Sequence, residues 1–372
     1  MENFTWFKFH PYSEWYMNTH RIKGSPSAEF HRKHFGKLDY LDAFVPRFNK
    51  GIREWSPSAW ANLFKKAGAR YVVLTSKHHD GFTLWPSNVA NPYRTESEIR
   101  LDRDIVGELG DAVRHAGMRY GLYYSGGMDW SFPGSLDGHC KTCHYRPRKP
   151  QDPEEYSDYA TEHLWELMEK YKPCILWNDI NYPTFKKNER LFEIFAHFYS
   201  KVCPGHGLIN NRWKLDGNWK GDFATPEYKV MEAVNYTAWE TNRGIGFSFG
   251  YNRNEGEKET LSAKELVSMF IDIVSKGGNL LLDVGPMPNG SLSWIQEQRL
   301  KELGGWMEIN SESIYGTRPF LPDGAIPSGN FRYTRNKDFM GLYVFVLDWH
   351  KKNVDDRIVD IPMNIKGYVR SK

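Results

Sequence analysis

The sequence predicts an α/β protein whose parallel strands alternate with helices and close into a barrel, followed by a small antiparallel β domain. Three observations carry this reading. From residue 69 onward, short apolar runs of strand length alternate with stretches of helical periodicity. The 372 residues suit one barrel-sized domain with a small addition better than two equal domains. After Tyr315 the alternation stops, and Phe331-Arg332-Tyr333-Thr334 and Gly341 to Leu347 read as antiparallel strands. The expected division is therefore 1–315 for the barrel and 316–372 for the β domain.

The elements follow in order. Tyr71-Val72-Val73-Leu74-Thr75 is a buried strand running into Ser76-Lys77-His78-His79-Asp80-Gly81-Phe82. A helix over 104–116 places Ile105, Leu109, Ala112 and Val113 on one face and stops at Gly117. Arg119 to Tyr124 is the next strand, leading into Ser125-Gly126-Gly127-Met128-Asp129-Trp130. A long helix from about Pro153 to Tyr171 precedes the strand Cys174 to Ile180, and a helix from Glu189 to about Val202 precedes a short strand over Gly207 to Trp213. Ser262 caps a helix through Lys276, Gly277-Gly278 stops it, and Asn279 to Pro286 is a further strand before a helix over 294–309. This makes about six barrel strands; the irregular, aromatic stretch between Trp213 and Ser262 has room for another.

Composition narrows the function. Lys and Arg number 49 against 46 Asp and Glu, for a net charge of +3 without a dense basic run, so nucleic acid is not an expected partner. There is no run of 18 apolar residues and no charged-then-apolar leader at Met1 to Lys8, which points to a protein that works in the cytoplasm without a membrane partner. The 14 Trp among many Tyr and Phe favour carbohydrate, whose apolar ring faces stack on indole. His139-Cys140-Lys141-Thr142-Cys143-His144 has the spacing of a haem attachment or half a zinc site, with a loop disulfide as the plainer reading; Cys174 reads as a small buried hydrophobe.

The strand Cys174 to Ile180 holds the leading candidate. Alternation along a strand sends Trp177 and Asp179 to one face and Asn178 to the other, and barrel active sites gather at carboxyl strand ends. Asp179 is thus the first catalytic candidate, with helix or turn capping as the competing role. Cleavage between sugars needs a second carboxyl group; Asp80, Asp129, Asp222, Glu227, Glu232, Glu240 and Asp283 are the candidates, and Glu227 stands out for its aromatic surroundings. His78 and His79 would face opposite sides of a regular strand, which favours hydrogen bonding to hydroxyls over a shared metal ion. Arg212 could grip a hydroxyl or hold a carboxylate charged. The glycines of Arg243 to Gly250 fit no dinucleotide or phosphate-loop pattern.

These motifs together resemble the α-L-fucosidases of glycoside hydrolase family 29. The resemblance runs from Tyr12-Ser13-Glu14-Trp15-Tyr16 through SKHHDGF, YYSGGMDW, LWNDI, NNRW, TPEY, GIGFSFGYNRNE and SKGGNLLLDVGP to SIYGT. It implies an irregular (β/α)8-like (TIM) barrel with a C-terminal β domain, and retaining hydrolysis of terminal α-L-fucosides without metal or cofactor. Carried over by motif, Asp179 would be the nucleophile and Glu227 the acid/base. Glu14, Trp15, His78, His79, Tyr124, Trp177, Arg212 and Phe249 would contact the fucose, with Tyr123 as the alternative to Tyr124. The chain also departs from the family. The usual first barrel strand ends in His-Trp-Gly, whose His binds the sugar, and that tripeptide occurs nowhere here. Asp283 stands where Asn is common. A barrel lacking that strand has open edges, so either the amino-terminal segment rearranges or a neighbouring subunit covers the gap; a homo-oligomer is expected, with a fucosylated oligosaccharide or glycoconjugate as substrate. A fucose-binding relative with impaired catalysis is the alternative.

Overall fold

The structure, a computed structural model, describes residues 13–133, 153–183, 189–213 and 221–348. The Cys140/Cys143 motif lies outside the described residues. Helices α1 (Tyr16–Thr19), α2 (Pro26–Phe35), α3 (Tyr40–Gly51) and α4 (Pro57–Lys66) lead to strand β1 (Tyr71–Lys77). Then come α5 (Glu96–Ile99), α6 (Ile105–His115), β2 (Arg119–Ser125), α7 (Pro153–Tyr171), β3 (Ile175–Asp179), α8 (Glu189–His197) and β4 (Leu208–Ile209). The barrel region continues with β5 (Trp239–Gly244), α9 (Ala263–Ser275), β6 (Gly278–Asp283) and α10 (Trp294–Asn310).

Local chemistry sets many of these boundaries. The Ser25, Ser56, Ser262 and Ser293 side chains each accept a backbone N–H in the first turn of α2, α4, α9 and α10. At α9, Glu265 reaches back to Ser262 and completes a capping box, so two otherwise orphaned donors are satisfied. Gly117 ends α6 with a φ of 74°, a left-handed conformation that a side chain would oppose.

Strands β1, β2, β3 and β4 form one parallel sheet in that order. Leu74 is level with Leu122 and Leu122 with Leu176, so the outward faces align and bury a large apolar layer against the helices. Inward, Ile175 and Trp177 pack with Phe223 and, at the cluster margin, Tyr71, Val73, Tyr123 and Leu281. Beyond β4 the wall continues through single parallel bridges, Asn210 with Phe223, Ala224 with Trp239 and Glu227 with Asn242, before β5 pairs with β6 in parallel.

Strand β5 falls in the stretch where the apolar pattern gives no strand. Its sequence, Trp-Glu-Thr-Asn-Arg-Gly, is polar, yet all but Arg243 are buried. Partners satisfy it: Glu240 accepts the Trp177 Nε1–H at 3.0 Å and the Tyr71 hydroxyl at 2.5 Å, and Thr241 Oγ1 donates to the Lys229 carbonyl at 2.8 Å. Hydrogen bonding does here what apolar alternation does in β1 to β3.

Among the described residues no strand joins β6 to β1. Tyr71 to Thr75 and Gly278 to Asp283 instead line one cavity of about 1870 Å³ that runs from the barrel mouth between these edges toward α3, α4 and α10. The fold is thus an irregular (β/α)8-like barrel. After it, β7 (Thr317–Pro319), β8 (Phe331–Asn336) and β9 (Leu342–Val346) form an antiparallel sheet in the expected tail. It docks on α9 through the Arg332–Asp272 ion pair and on the Leu266, Met307 and Ile314 cluster through Phe345. No described helix is long and apolar enough to cross a membrane.

Candidate active site

The backbone around Asp179 is shaped for this position. Strand β3 ends there, and the next two residues, Ile180 and Asn181, have φ values of 55° and 66°. Consecutive left-handed residues that are not glycine are costly and turn the chain sharply away from the strand. The Gly126 and Gly127 N–H groups hold the bend by donating to the Asp179 carbonyl at 3.2 and 3.3 Å. A Cβ on Gly127 would collide with the Ile180 carbonyl oxygen, so the glycine pair of SGGMDW permits the close approach.

The carboxylate is nearly buried, with both oxygens engaged. Tyr123 donates its hydroxyl to Oδ2 at 2.8 Å, and Arg212 Nη1 donates to Oδ1 at 2.8 Å. Arg212 Nη1 also reaches Glu227 Oε2 at 3.1 Å. Thr225 fixes the same guanidinium, taking Nε on its hydroxyl at 2.9 Å and Nη2 on its carbonyl at 3.1 Å. Arg212 lies over the Trp177 ring at 4.7 Å. Burial opposes its charge, but Asp179 and Glu227 outweigh it, so the guanidinium is more firmly protonated than usual. The Asn210 side chain sets where Arg212 sits: its amide accepts the Asn178 N–H at 3.0 Å and donates to the Asn178 carbonyl at 2.9 Å, extending the β3–β4 pairing.

The two histidines do not take opposite sides. The strand register shifts between Thr75 and Lys77, and the His78 and His79 rings stack with centroids 3.8 Å apart. That corrects the alternation argument, since β1 ends at Lys77 and both histidines lie beyond the strand, where the two-residue period no longer holds. Ser125 spends its hydroxyl hydrogen on the Met128 carbonyl at 2.7 Å, so it accepts from His79 Nδ1 at 2.6 Å and leaves Nε2 turned to Asp179 Oδ2 at 4.0 Å. Burial pushes His78 down to about 4, so its imidazole is neutral at physiological pH. Beneath the turn, the Lys77–Asp129 ion pair is fully buried at 2.8 Å. Among the described residues, no group of three or more His, Cys, Asp or Glu is arranged to hold a metal ion.

Glu14, Trp15 and Phe249 line the same cavity as Asp179, Glu227, Trp177, Arg212 and both histidines. Trp15 meets His79 edge-on at 5.3 Å, and Phe249 meets Tyr228 edge-on at 5.1 Å. Glu14 Oε2 accepts the Gly250 N–H at 2.9 Å, and burial raises its carboxyl to about 7.

Tyr124 is the exception. It points outward from β2 into the helical layer, where its hydroxyl lies 3.1 Å from His163 Nδ1. Tyr123 occupies the cavity position, parallel to Trp177 at 5.4 Å. Both tyrosines suit a strand, and only the register that sets Tyr123 against Trp177 separates them. Of the other carboxylates, Asp80 and Asp283 line the cavity. Asp129 pairs with Lys77, Asp222 accepts the Ile209 N–H and the Tyr199 hydroxyl, and Glu240 lies below Trp177. Sequence reasoning missed the positioning contribution of Glu240 and the Gly126–Gly127 contact with Asp179; the paired glycines were the one local signal.

Comparison with known proteins points to one family. The family model for α-L-fucosidase matches residues 3–312. A curated α-L-fucosidase of Dictyostelium discoideum is 32% identical over 350 residues, covering 91% of this chain and 72% of that protein. The tissue α-L-fucosidase of Homo sapiens is 33% identical over 352 residues, covering 92% and 72%. Among solved structures, a Thermotoga maritima α-fucosidase superposes with a TM-score of 0.75 at 42% identity, covering 89% of this chain and 74% of that one. Another α-L-fucosidase gives a TM-score of 0.80 at 40% identity, covering 92% and 75%. The match runs over nearly the whole chain, in sequence and in fold, and the chain belongs to the α-L-fucosidase family of glycoside hydrolases.

Proposed function

We propose that the chain releases terminal α-L-fucosyl groups from fucosylated oligosaccharides or glycoconjugates with retention of configuration, using Asp179 as nucleophile and Glu227 as acid/base. The observation that carries this reading is the shared Arg212 nitrogen. Held at 2.8 and 3.1 Å from one atom, the facing oxygens of the two carboxylates lie within about 6 Å of each other, which supports the close pair of a retaining enzyme, ~5–5.5 Å, over the ~6.5–9.5 Å of inverting ones. Asp179 attacks the anomeric carbon while Glu227 protonates the departing oxygen; Glu227 then removes a proton from water that attacks the fucosyl-enzyme. Tyr123 and Arg212 orient the attacking carboxylate through their hydrogen bonds to its two oxygens. Trp177 and Phe249 offer apolar surface to the sugar, and His78, His79, Glu14 and Trp15 complete its pocket.

The test is turnover of an aryl α-L-fucoside followed by proton NMR. Retention predicts α-fucose as the first product. Asp179→Ala should lose about 10⁴-fold or more in kcat, with azide restoring part of it as the β-fucosyl azide. Glu227→Ala should lose far less on an aryl fucoside with a good leaving group than on a natural glycoside. Initial β-fucose, or full activity in Asp179→Ala, would refute the assignment.

The His-Trp-Gly tripeptide is missing and, among the described residues, no strand lies between β1 and β6; these features favour a second reading, a fucose-binding chain of impaired turnover, and fucose affinity without aryl fucoside hydrolysis would establish it. They also support a homo-oligomer in which a neighbouring subunit covers the gap. A fully active monomer in light scattering would exclude that assembly.

A further inference from the structure

Cys174 and Cys203 belong to no part of the fucoside site, yet their Sγ atoms lie 2.7 Å apart. Both are free thiols. We propose that they form a reversible disulfide, making the pair a redox-modification site that ties the start of β3 to the π-helical turn Phe198–Val202 before Cys203.

Both backbones are held in place by hydrogen bonds. The Cys174 N–H donates to the Tyr120 carbonyl at 2.8 Å, and its own carbonyl accepts from Leu208 at 3.0 Å. The Cys203 N–H donates to Phe198 at 2.9 Å, and its carbonyl accepts from Gly207 at 2.9 Å. A covalent S–S bond is about 2.05 Å long, so closure moves the sulfurs by less than about 1 Å. The two thiols also differ in access. Cys203 is buried, and burial, followed by its contact with Cys174, pushes its thiol up to about 12. Cys174 is partly exposed and is the one a soluble reagent meets first.

A small disulfide such as oxidised glutathione supplies the oxidant. The Cys174 thiolate attacks one glutathione sulfur, giving a mixed disulfide and expelling a glutathione thiolate. Cys203 Sγ then gives up its proton to solvent and attacks Cys174 Sγ, and the second glutathione thiolate leaves. Overall, two protein thiols are oxidised and one glutathione disulfide is reduced to two thiols. The closed loop spans 174–203 and contains β3 and α8, so the bond restricts the unfolded chain there. Asp179 lies at the far end of β3, about 15 Å along the strand, and keeps its contacts.

The experiment uses the full chain with Cys140→Ser and Cys143→Ser, incubated with oxidised glutathione or with dithiothreitol. Peptide mapping by mass spectrometry should find the Cys174 and Cys203 peptides linked, two hydrogens lighter, and separated again by dithiothreitol. The oxidised form should melt about 3–8 °C higher than the reduced form, with kcat/KM on aryl fucoside within about twofold. Adding Cys203→Ala should abolish the shift. Alkylation of both cysteines after the oxidising incubation, or a lasting glutathione adduct on Cys174 without the linked peptide, would overturn the proposal; mapping decides this even if the alanine variant folds poorly.

Discussion

From β1 to β4 the barrel wall is a continuous ladder with an apolar outer face sealed by α6, α7 and α8, whereas from Phe223 to β6 it is held by single bridges, one strand pair and buried polar contacts. Asp179, Tyr123 and the histidines stand on the first half, and Glu227 on the second. Arg212 spans the two. The nucleophile proposed at Asp179 must be held in one place, and the ladder does this through backbone pairing. The second half is tuned by side chains instead, and its outer edge opens into the cavity. The lesson is that neighbouring walls of one pocket can reach comparable order by different means, apolar register in one and polar satisfaction in the other.

The sharpest way to break this comparison is at the tyrosine pair on β2. Tyr123→Phe removes a hydrogen bond to Asp179 and should lower kcat by about 10- to 100-fold, the loss of roughly 1.5–3 kcal/mol for a bond to a charged group. Tyr124→Phe should leave kcat within about twofold and reduce stability instead, because its hydroxyl meets His163. Steady-state kinetics with thermal melts separates them; equal kinetic losses would return Tyr124 to the sugar pocket.

Packing on the two halves is compared by two leucines that both point outward. Leu176→Ala on β3, 2% exposed, should cost about 2–5 kcal/mol in urea unfolding. Leu280→Ala on β6, partly buried beside the cavity, should cost less than about 1.5 kcal/mol. A Leu280→Ala cost that rises with protein concentration would show a second subunit closing the edge.

The smallest effect is a pH signature at Glu14. Burial raises its carboxyl from 4.5 to about 7. A group that binds its proton more tightly in the fold contributes stability that is complete below about 4.5 and lost as pH rises to about 7. His78, lowered from 6.5 to about 4 by burial, acts oppositely: its contribution is present above 6.5 and lost as pH falls through 4. Glu14→Gln should therefore melt higher than wild type at pH 8 and show no gain at pH 4.5. The same gain at both pH values would mean that ionisation of Glu14 is not the cause.

How much was legible in the chain follows the same division. Strands β1, β2 and β3 and the helices around them announce themselves by apolar runs, serine caps and a glycine stop. Trp177 and Asp179 share a face because alternation demands it. Strand β5 was not legible, since Glu240 and Asn242 are acceptable in a buried strand only once Trp177, Tyr71 and the Thr225–Pro226 backbone supply their partners. The choice between Tyr123 and Tyr124 failed for a related reason, because the register between β2 and β3 is a contact across more than fifty residues.

By itself the sequence determined the alternating architecture and the family motifs, because periodicity, capping and motif spacing are local properties. Only the tertiary structure decided that one arginine nitrogen joins Asp179 to Glu227, that His78 stacks on His79 beyond the end of β1, and that the wall stays open between β6 and β1 among the described residues. These depend on register, burial and satisfied hydrogen bonds, which exist only when distant segments meet.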